Sequence, residues 1–257
     1  MAQLEALLFD VDGTLADTER DGHRVAFNRA FADAGLDWEW TPEIYGDLLE
    51  VTGGKERIRH FLEKYRPEFE APADLDAFIA ELHAAKTGHY KRLMEDPGLP
   101  LRPGVERLLR EARDAGLRLA IATTTTPANV TALLRNSLDP EAEEWFEVIA
   151  AGDIVPAKKP APDIYLWAME RMGLPPERCM AFEDSENGVA AARDAGLRSI
   201  LVTVNDYTRD HDFGPATVVL DQLGMPESPA RVLQGPPLVK GQVDLPALKA
   251  IHDHAWG

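Results

Sequence analysis

A single cysteine, Cys179, stands among 257 residues. No disulfide can form within such a chain, which excludes the stapled framework of a small secreted fold. Cys179 itself reads as a small buried residue opening a strand, not as a nucleophile. Basic residues are also scarce: 27 Lys and Arg face 44 Asp and Glu, a formal charge of −17. That deficit removes the basic footprint on which nucleic-acid binding rests. It also removes attraction to an anionic membrane surface. No apolar run approaches the ~18 residues of a membrane span. The first ten residues carry no basic leader, and Glu5 interrupts their apolar stretch. The expectation is a soluble, cytoplasmic, monomeric protein with no nucleic-acid or membrane partner. An anionic substrate would meet long-range repulsion, so its binding must be local.

What the sequence does hold is enough apolar residue, 45%, for a packed core. Short apolar runs at residues 4–9, 118–122, 146–150, 179–182, 199–203 and 217–220 are bounded by turn residues. Their length and Ile/Val/Leu content predict strands buried on both faces. Helical patterns lie between most of them. Val105, Leu108, Leu109 and Ala112 form one stripe that stops at Gly116, and residues 186–195 repeat the pattern before Gly196. Two junctions share the sequence Ala-Arg-Asp-Ala-Gly-Leu-Arg, at residues 112–118 and 192–198, and read as one helix-to-strand solution used twice. The alternation predicts a Rossmann-like parallel α/β core.

Residues 17–95 break this rhythm with helical stretches at 17–34, 54–65 and 73–94 and no strand. They read as a helical domain inserted after the first strand. The core then comprises residues 1–16 and 96–225, with Pro97, Pro100 and Pro103 marking the return. Pro226, Pro229, Pro236, Pro237 and Pro246 punctuate a tail over 226–257, ending in a short docked helix with Leu245, Leu248 and Ile251.

In open parallel sheets, ligands bind at the carboxyl ends of the strands. Those ends carry Asp10 and Asp12, then Thr123, Thr124 and Thr125, then Glu183 and Asp184, with Lys158 and Lys159 in a loop before the helix at Asp163. Four carboxylates at one edge would repel one another unless a hard cation shared them, and oxygen ligands favour Mg²⁺. The chemistry indicated is a metal-assisted phosphoryl centre.

Phe9-Asp-Val-Asp-Gly-Thr14, Thr123, Lys159 in Lys-Pro-Ala-Pro-Asp-Ile-Tyr165, and Glu183-Asp184 together resemble the four ordered motifs of the haloacid dehalogenase superfamily, and the insert falls where its helical cap falls. The resemblance implies Asp10 as nucleophile, Asp12 as general acid and base, and Thr123 and Lys159 as stabilising groups. It implies Mg²⁺ held by Asp10, the main-chain carbonyl of Asp12, and Asp184, with Glu183 adjacent or coordinating. An acid two residues after the nucleophile belongs to phosphoryl transfer, not dehalogenation.

The insert carries two unusual stretches, residues 17–28 and 37–57. In the second, Thr52-Gly-Gly-Lys-Glu-Arg57 places two glycines ahead of a basic helix, a good anion cradle. It is not a Walker loop, since Leu49 stands where a Gly is needed and Glu56 follows the lysine. Residues 51–66 hold five Lys or Arg against two Glu, a local +3. Together with the Trp-rich segment, these residues resemble the CbbY branch, whose described member is a xylulose-1,5-bisphosphate phosphatase that removes a Rubisco inhibitor. On that resemblance Tyr45, Gly53, Gly54, Lys55 and Arg57 hold the phosphate that is kept, Glu19 and His23 meet sugar hydroxyls, and Thr124 and Thr125 line the substrate site. A β-phosphoglucomutase-like enzyme, a phosphoglycolate phosphatase and a non-catalytic sugar-phosphate sensor are the alternatives. His83 and His89, six apart, and His252 and His254, without further ligands, do not read as metal sites.

Overall fold

The computed structural model describes residues 3–51, 53–96 and 98–257. Met1, Ala2, Thr52 and Pro97, and so the readings of the leader's first residues, of the threonine opening the Gly-Gly-Lys segment and of one core-return proline, lie outside the described residues. The chain divides into two compact units, residues 1–17 with 100–257, and residues 18–99.

Along the chain, β1 (Ala6–Phe9) precedes the helical unit. That unit holds a π-helical turn (Thr18–His23), α1 (Arg24–Asp33), α2 (Pro42–Leu48), α3 (Gly54–Tyr65) and α4 (Leu75–Glu95). Residues 17–34 are therefore not one helix, as the periodicity suggested, but a π turn feeding an α-helix. Such turns are rare and recur at functional sites. The short α2 escaped the sequence pattern, although Thr41 caps it by accepting from the Ile44 amide at 3.3 Å, with Pro42 just inside.

The core of this unit is aromatic. Phe27 lies 4.4 Å from Trp40, Phe31 5.3 Å from Trp38, and Trp40 5.6 Å from Phe61, ring centre to ring centre. Asn28 clasps the Trp40 backbone, donating to its carbonyl at 3.0 Å and accepting from its amide at 2.8 Å. Trp38 and Trp40 are thus packing residues.

The other unit is built on α5 (Val105–Asp114), β2 (Arg118–Ala122), α6 (Pro127–Ser137), β3 (Phe146–Ala150), α7 (Asp163–Met172), β4 (Cys179–Glu183), α8 (Glu186–Asp194), β5 (Ile200–Thr203), β6 (Val218–Leu220), β7 (Val232–Gln234) and α9 (Leu245–Trp256). The sheet order is β3-β2-β1-β4-β5-β6-β7. Every pairing is parallel except β6–β7. The tail thus supplies an unforeseen antiparallel edge strand. With only three residues, two of them exposed, β7 offers no apolar run to read. β1 and β4 are buried along their whole length, as strands covered on both faces must be.

The twin junctions are structurally the same. Leu117 and Leu197 donate back to Ala112 and Ala192 at 3.0 and 3.1 Å, across Gly116 and Gly196 at φ +78° and +91°. This is the left-handed glycine stop that lets a helix turn directly into a strand. Among the described residues, no helix is long and apolar enough to cross a membrane.

Arg102 locks the loop that follows β1. It is buried, with 7% of its surface exposed. Its guanidinium donates to the carbonyl of Gly13, to Thr203 at 3.0 Å, to Val204 at 2.5 Å and to Asp221 at 3.2 Å. It also faces Asp17 at 3.4 Å. Its own amide donates to Leu15 at 2.8 Å, beside an antiparallel bridge from Ala16 to Leu101. Only a planar fork of five donors satisfies so many carbonyls. Arg102→Ala should lower stability by ~3 kcal/mol, since it strands buried acceptors and an acid. Arg102→Lys should recover only part of that. Urea unfolding of the sheet unit measures both, and a cost below about 1 kcal/mol for the alanine variant would refute the lock.

Candidate active site

β1 and β4 run side by side, and the Phe9–Phe182 register carries their next residues to one edge. The two rings stack 4.2 Å apart, and the Asp10 amide donates to Phe182 at 3.0 Å. Asp10 is therefore fixed beside Glu183 and Asp184. One carboxylate oxygen from each lies within 4.8 Å of the others, and all three residues are buried.

Lys159, in the loop before α7, meets this group. Its ammonium donates to Asp10 Oδ1 at 2.7 Å and to Glu183 Oε1 at 2.6 Å. Its neighbour Lys158 turns out to solvent and pairs with Asp153 at 3.0 Å. The Tyr165 hydroxyl donates to the same Glu183 oxygen at 2.5 Å. Thr123 is buried one residue past β2, its amide donating to Ala150 at 2.9 Å. Its hydroxyl accepts from the Thr125 amide at 3.3 Å. Thr125 Oγ1 in turn accepts from Asn129 at 3.3 Å, while Thr124 is exposed. Asp12, two residues past Asp10, is half-buried.

Burial opposes charge on Lys159, but Asp10 and Glu183 outweigh it and hold the ammonium above the ordinary lysine range. Burial pushes the Glu183 carboxyl up to about 7 against the pull of Lys159. Burial, then Asp10 and Glu183, drive Asp184 well above the carboxylate range, with Asn205 opposing. One lysine does not satisfy three buried acids, and a divalent, oxygen-seeking cation fits the remainder. Asp10, Asp184 and the Asp12 carbonyl would hold it, with Glu183 alongside. When bound, it would neutralise charge on a phosphoryl group.

Two glycines make room for the acids. A Cβ on Gly13 (φ +85°) would fall 2.2 Å from Asp184 Oδ2, and one on Gly188 would fall 1.8 Å from Glu183 Oε2. At Gly13 the left-handed backbone also disfavours a side chain, and at Gly188 a Cβ would have to displace the Glu183 carboxylate.

The helical unit has its own polar cluster. Glu19 of the π turn accepts from the Tyr45 hydroxyl at 2.5 Å. Arg57 of α3 donates to that hydroxyl at 2.9 Å and stands 3.9 Å from Glu19. Gly53 (φ +98°) precedes α3; among the described residues no side chain caps the helix by a hydrogen bond, and the Glu56 carboxylate folds back beside Gly53. Gly54 opens α3 and Lys55 is exposed beside it.

His23 stacks on Tyr90 with ring centres 4.0 Å apart, and its Nδ1 lies 2.9 Å from the ammonium of Lys86 on α4. Burial pulls His23 down to about 4, so the ring is neutral near pH 7 and accepts from the lysine. Burial also brings Lys86 down to about 8, with Glu19 opposing and Arg57 reinforcing. Lys86 is further covered by the Phe27 and Tyr90 rings at 4.9 and 5.3 Å.

With this geometry in place, comparison with known proteins is direct. A family model, haloacid dehalogenase-like hydrolase, matches residues 4–196. The Cupriavidus necator protein CbbY (plasmid) is 47% identical over 253 residues, covering 97% of both chains. Rhodobacter capsulatus CbbY is 53% identical over 214 residues, 83% of this chain and 91% of that one. The chain belongs to the haloacid dehalogenase-like hydrolases, in the CbbY branch. A solved CbbY from Rhodobacter sphaeroides, a D10N mutant in complex with xylulose-1,5-bisphosphate, matches with a TM-score of 0.69 at 49% identity, over 86% of this chain and 97% of that one. A phosphorylated carbohydrates phosphatase from Thermotoga maritima is 31% identical over 202 residues, 79% of this chain and 86% of that one.

Within this hydrolase chain, the structure brings together Asp10, Lys159, Glu183 and Asp184, and separately Glu19, Tyr45 and Arg57. It adds partners that sequence reasoning missed. Lys86 lies 63 positions from His23 and carries no local motif. Tyr165 closes the Lys-Pro-Ala-Pro-Asp-Ile-Tyr segment, whose pattern alone assigns it no role. Asn205 follows β5 and has no spacing signature. Lys86 should make substrate binding sensitive to pH. Its lowered pKa keeps the charge below about pH 8 and loses it above. For an anionic substrate, KM should therefore rise from about pH 7 to about pH 9, and Lys86→Gln should remove that rise. Coincident wild-type and variant profiles would exclude Lys86 as the group.

Proposed function

We propose that this hydrolase is a Mg²⁺-dependent sugar-bisphosphate phosphatase that converts xylulose-1,5-bisphosphate to xylulose 5-phosphate through an aspartyl phosphate on Asp10. The observation that carries the reading is the Asp10–Lys159–Glu183–Asp184 cluster. Similarity to a CbbY solved with that sugar bisphosphate supports the substrate. The T. maritima relative, named for phosphorylated carbohydrates, supports the substrate class.

Lys159 engages Oδ1 of Asp10, which leaves the other oxygen to attack phosphorus. The new Asp10 O–P bond forms as the ester P–O bond breaks, and Asp12 donates its proton to the departing sugar oxygen. Asp12 then takes a proton from water, whose oxygen attacks phosphorus, releases phosphate and restores the Asp10 carboxylate. Lys159 and Thr123 stabilise the equatorial oxygens as charge builds on them. Thr124 and Thr125 extend this wall of donors. Two positions beyond the nucleophile, Asp12 suits the role of moving protons to the leaving oxygen and from the attacking water.

The second phosphate needs a holder that does no chemistry. Tyr45, Arg57, Lys55 and the amides at Gly53 and Gly54 supply one, while Glu19 and His23 suit sugar hydroxyls. A monophosphate makes no use of that clamp, and the identity to CbbY proteins favours the bisphosphatase over the phosphomutase alternative. Arg57→Ala should raise KM for xylulose-1,5-bisphosphate about tenfold, the ~1.4 kcal/mol of one charge-assisted bond. Sugar monophosphates should change by less than about twofold. Steady-state phosphate release measures both, and equal losses would remove the clamp.

A further inference from the structure

Asn205 lies two residues past the end of β5, and its side-chain amide makes two bonds of opposite sense. Oδ1 accepts from the Tyr207 amide at 2.9 Å, closing an Asx turn. Nδ2 donates to Asp184 Oδ2 at 2.7 Å. The backbone donor at Tyr207 settles which end of the amide is oxygen, so the donor end faces the acid.

The residue is held from several sides. Its own amide donates to Thr208 Oγ1 at 3.1 Å. The preceding carbonyl, Val204, accepts from Arg102 at 2.5 Å. A Cβ on Gly13 would fall 2.6 Å from Asn205 Nδ2, so the loop bearing Asp10 and Asp12 packs against the amide without slack. Aspartate could close the same turn, but it would set a carboxylate against Asp184. Only asparagine closes the turn and donates to the acid.

We propose that Asn205 is a positioning residue for the cation, fixing Asp184 in the orientation that groups it with Asp10 and Glu183. The inference rests on reading those acids as the Mg²⁺ site. A carboxylate with one oxygen committed to a neutral donor keeps a single rotamer and keeps its remaining lone pairs for the ion. Losing an outer partner of this kind typically costs about 10–100-fold in metal affinity.

The test is calorimetric titration of the whole chain with Mg²⁺ alone, comparing wild type, Asn205→Ser and Asn205→Ala. Serine keeps an oxygen for the Tyr207 turn but is too short to serve Asp184 as well, so it isolates the donor from the fold. Thermal melting in parallel shows that each variant is folded. The Kd for Mg²⁺ should rise about tenfold or more in both. The Mg²⁺ concentration that half-saturates phosphate release should move by the same factor, a shift that mere loss of folded protein would not produce. A folded variant whose Kd stays within about twofold of wild type overturns the role of Asn205. A wild-type chain that takes up no Mg²⁺ overturns the metal reading beneath it.

Discussion

Three carboxylates held within 4.8 Å of one another at the carboxyl edge of a buried sheet repel each other and have lost the water that would screen them. Much of the larger unit can be understood as the response to that constraint. Lys159 is drawn into the group and kept charged. Tyr165 and Asn205 each give one acid a donor. Gly13 and Gly188 remain without side chains because the acids occupy the space a Cβ would need. Arg102 holds the loop itself, tying the Gly13 carbonyl to the ends of β5 and β6. The excess negative charge that remains is what a divalent cation and a phosphoryl group would meet.

The helical unit solves a different problem, presenting positive charge within a chain of net charge −17. An aromatic core of Phe27, Phe31, Trp40 and Phe61 supports the polar face. Burial keeps His23 neutral and brings Lys86 down to about 8. Glu19 ties Tyr45 to Arg57 and keeps a carboxylate beside the cations. The balance suits a polyol phosphate, with acceptors and donors for hydroxyls next to charge for an anion. Attraction of the substrate is accordingly local, which reconciles an acidic protein with an anionic ligand.

How much of this was legible in the sequence follows from where the information lies. Asp10, Thr123, Glu183 and Asp184 stand at strand ends, and an apolar run followed by a polar residue advertises such a position. Lys159 lies in a loop and is marked instead by the Lys-Pro-Ala-Pro-Asp-Ile-Tyr motif around it. The twin Ala-Arg-Asp-Ala-Gly-Leu-Arg junctions were readable for the same reason, since a left-handed glycine stop is local chemistry. Lys86, Asn205 and Arg102 were not readable, because their partners lie across the fold and no spacing rule connects them. The π turn at Thr18–His23, Thr-Glu-Arg-Asp-Gly-His, carries no apolar residue to set a period, and it differs from an α-helix in hydrogen bonding that sequence does not show. β7 is too short and exposed to show alternation. Trp38 and Trp40, a Trp-rich segment in the sequence, serve packing.

The claim on which the account turns is that Asp10 forms the bond to phosphorus. Its direct test is phosphate release from xylulose-1,5-bisphosphate with and without Mg²⁺, by the wild-type chain and by Asp10→Asn. The account requires Mg²⁺-dependent release by wild type and release at background level by the variant, which keeps the shape of the side chain and loses the attacking oxygen. Substantial turnover by a folded Asp10→Asn chain would contradict the covalent mechanism.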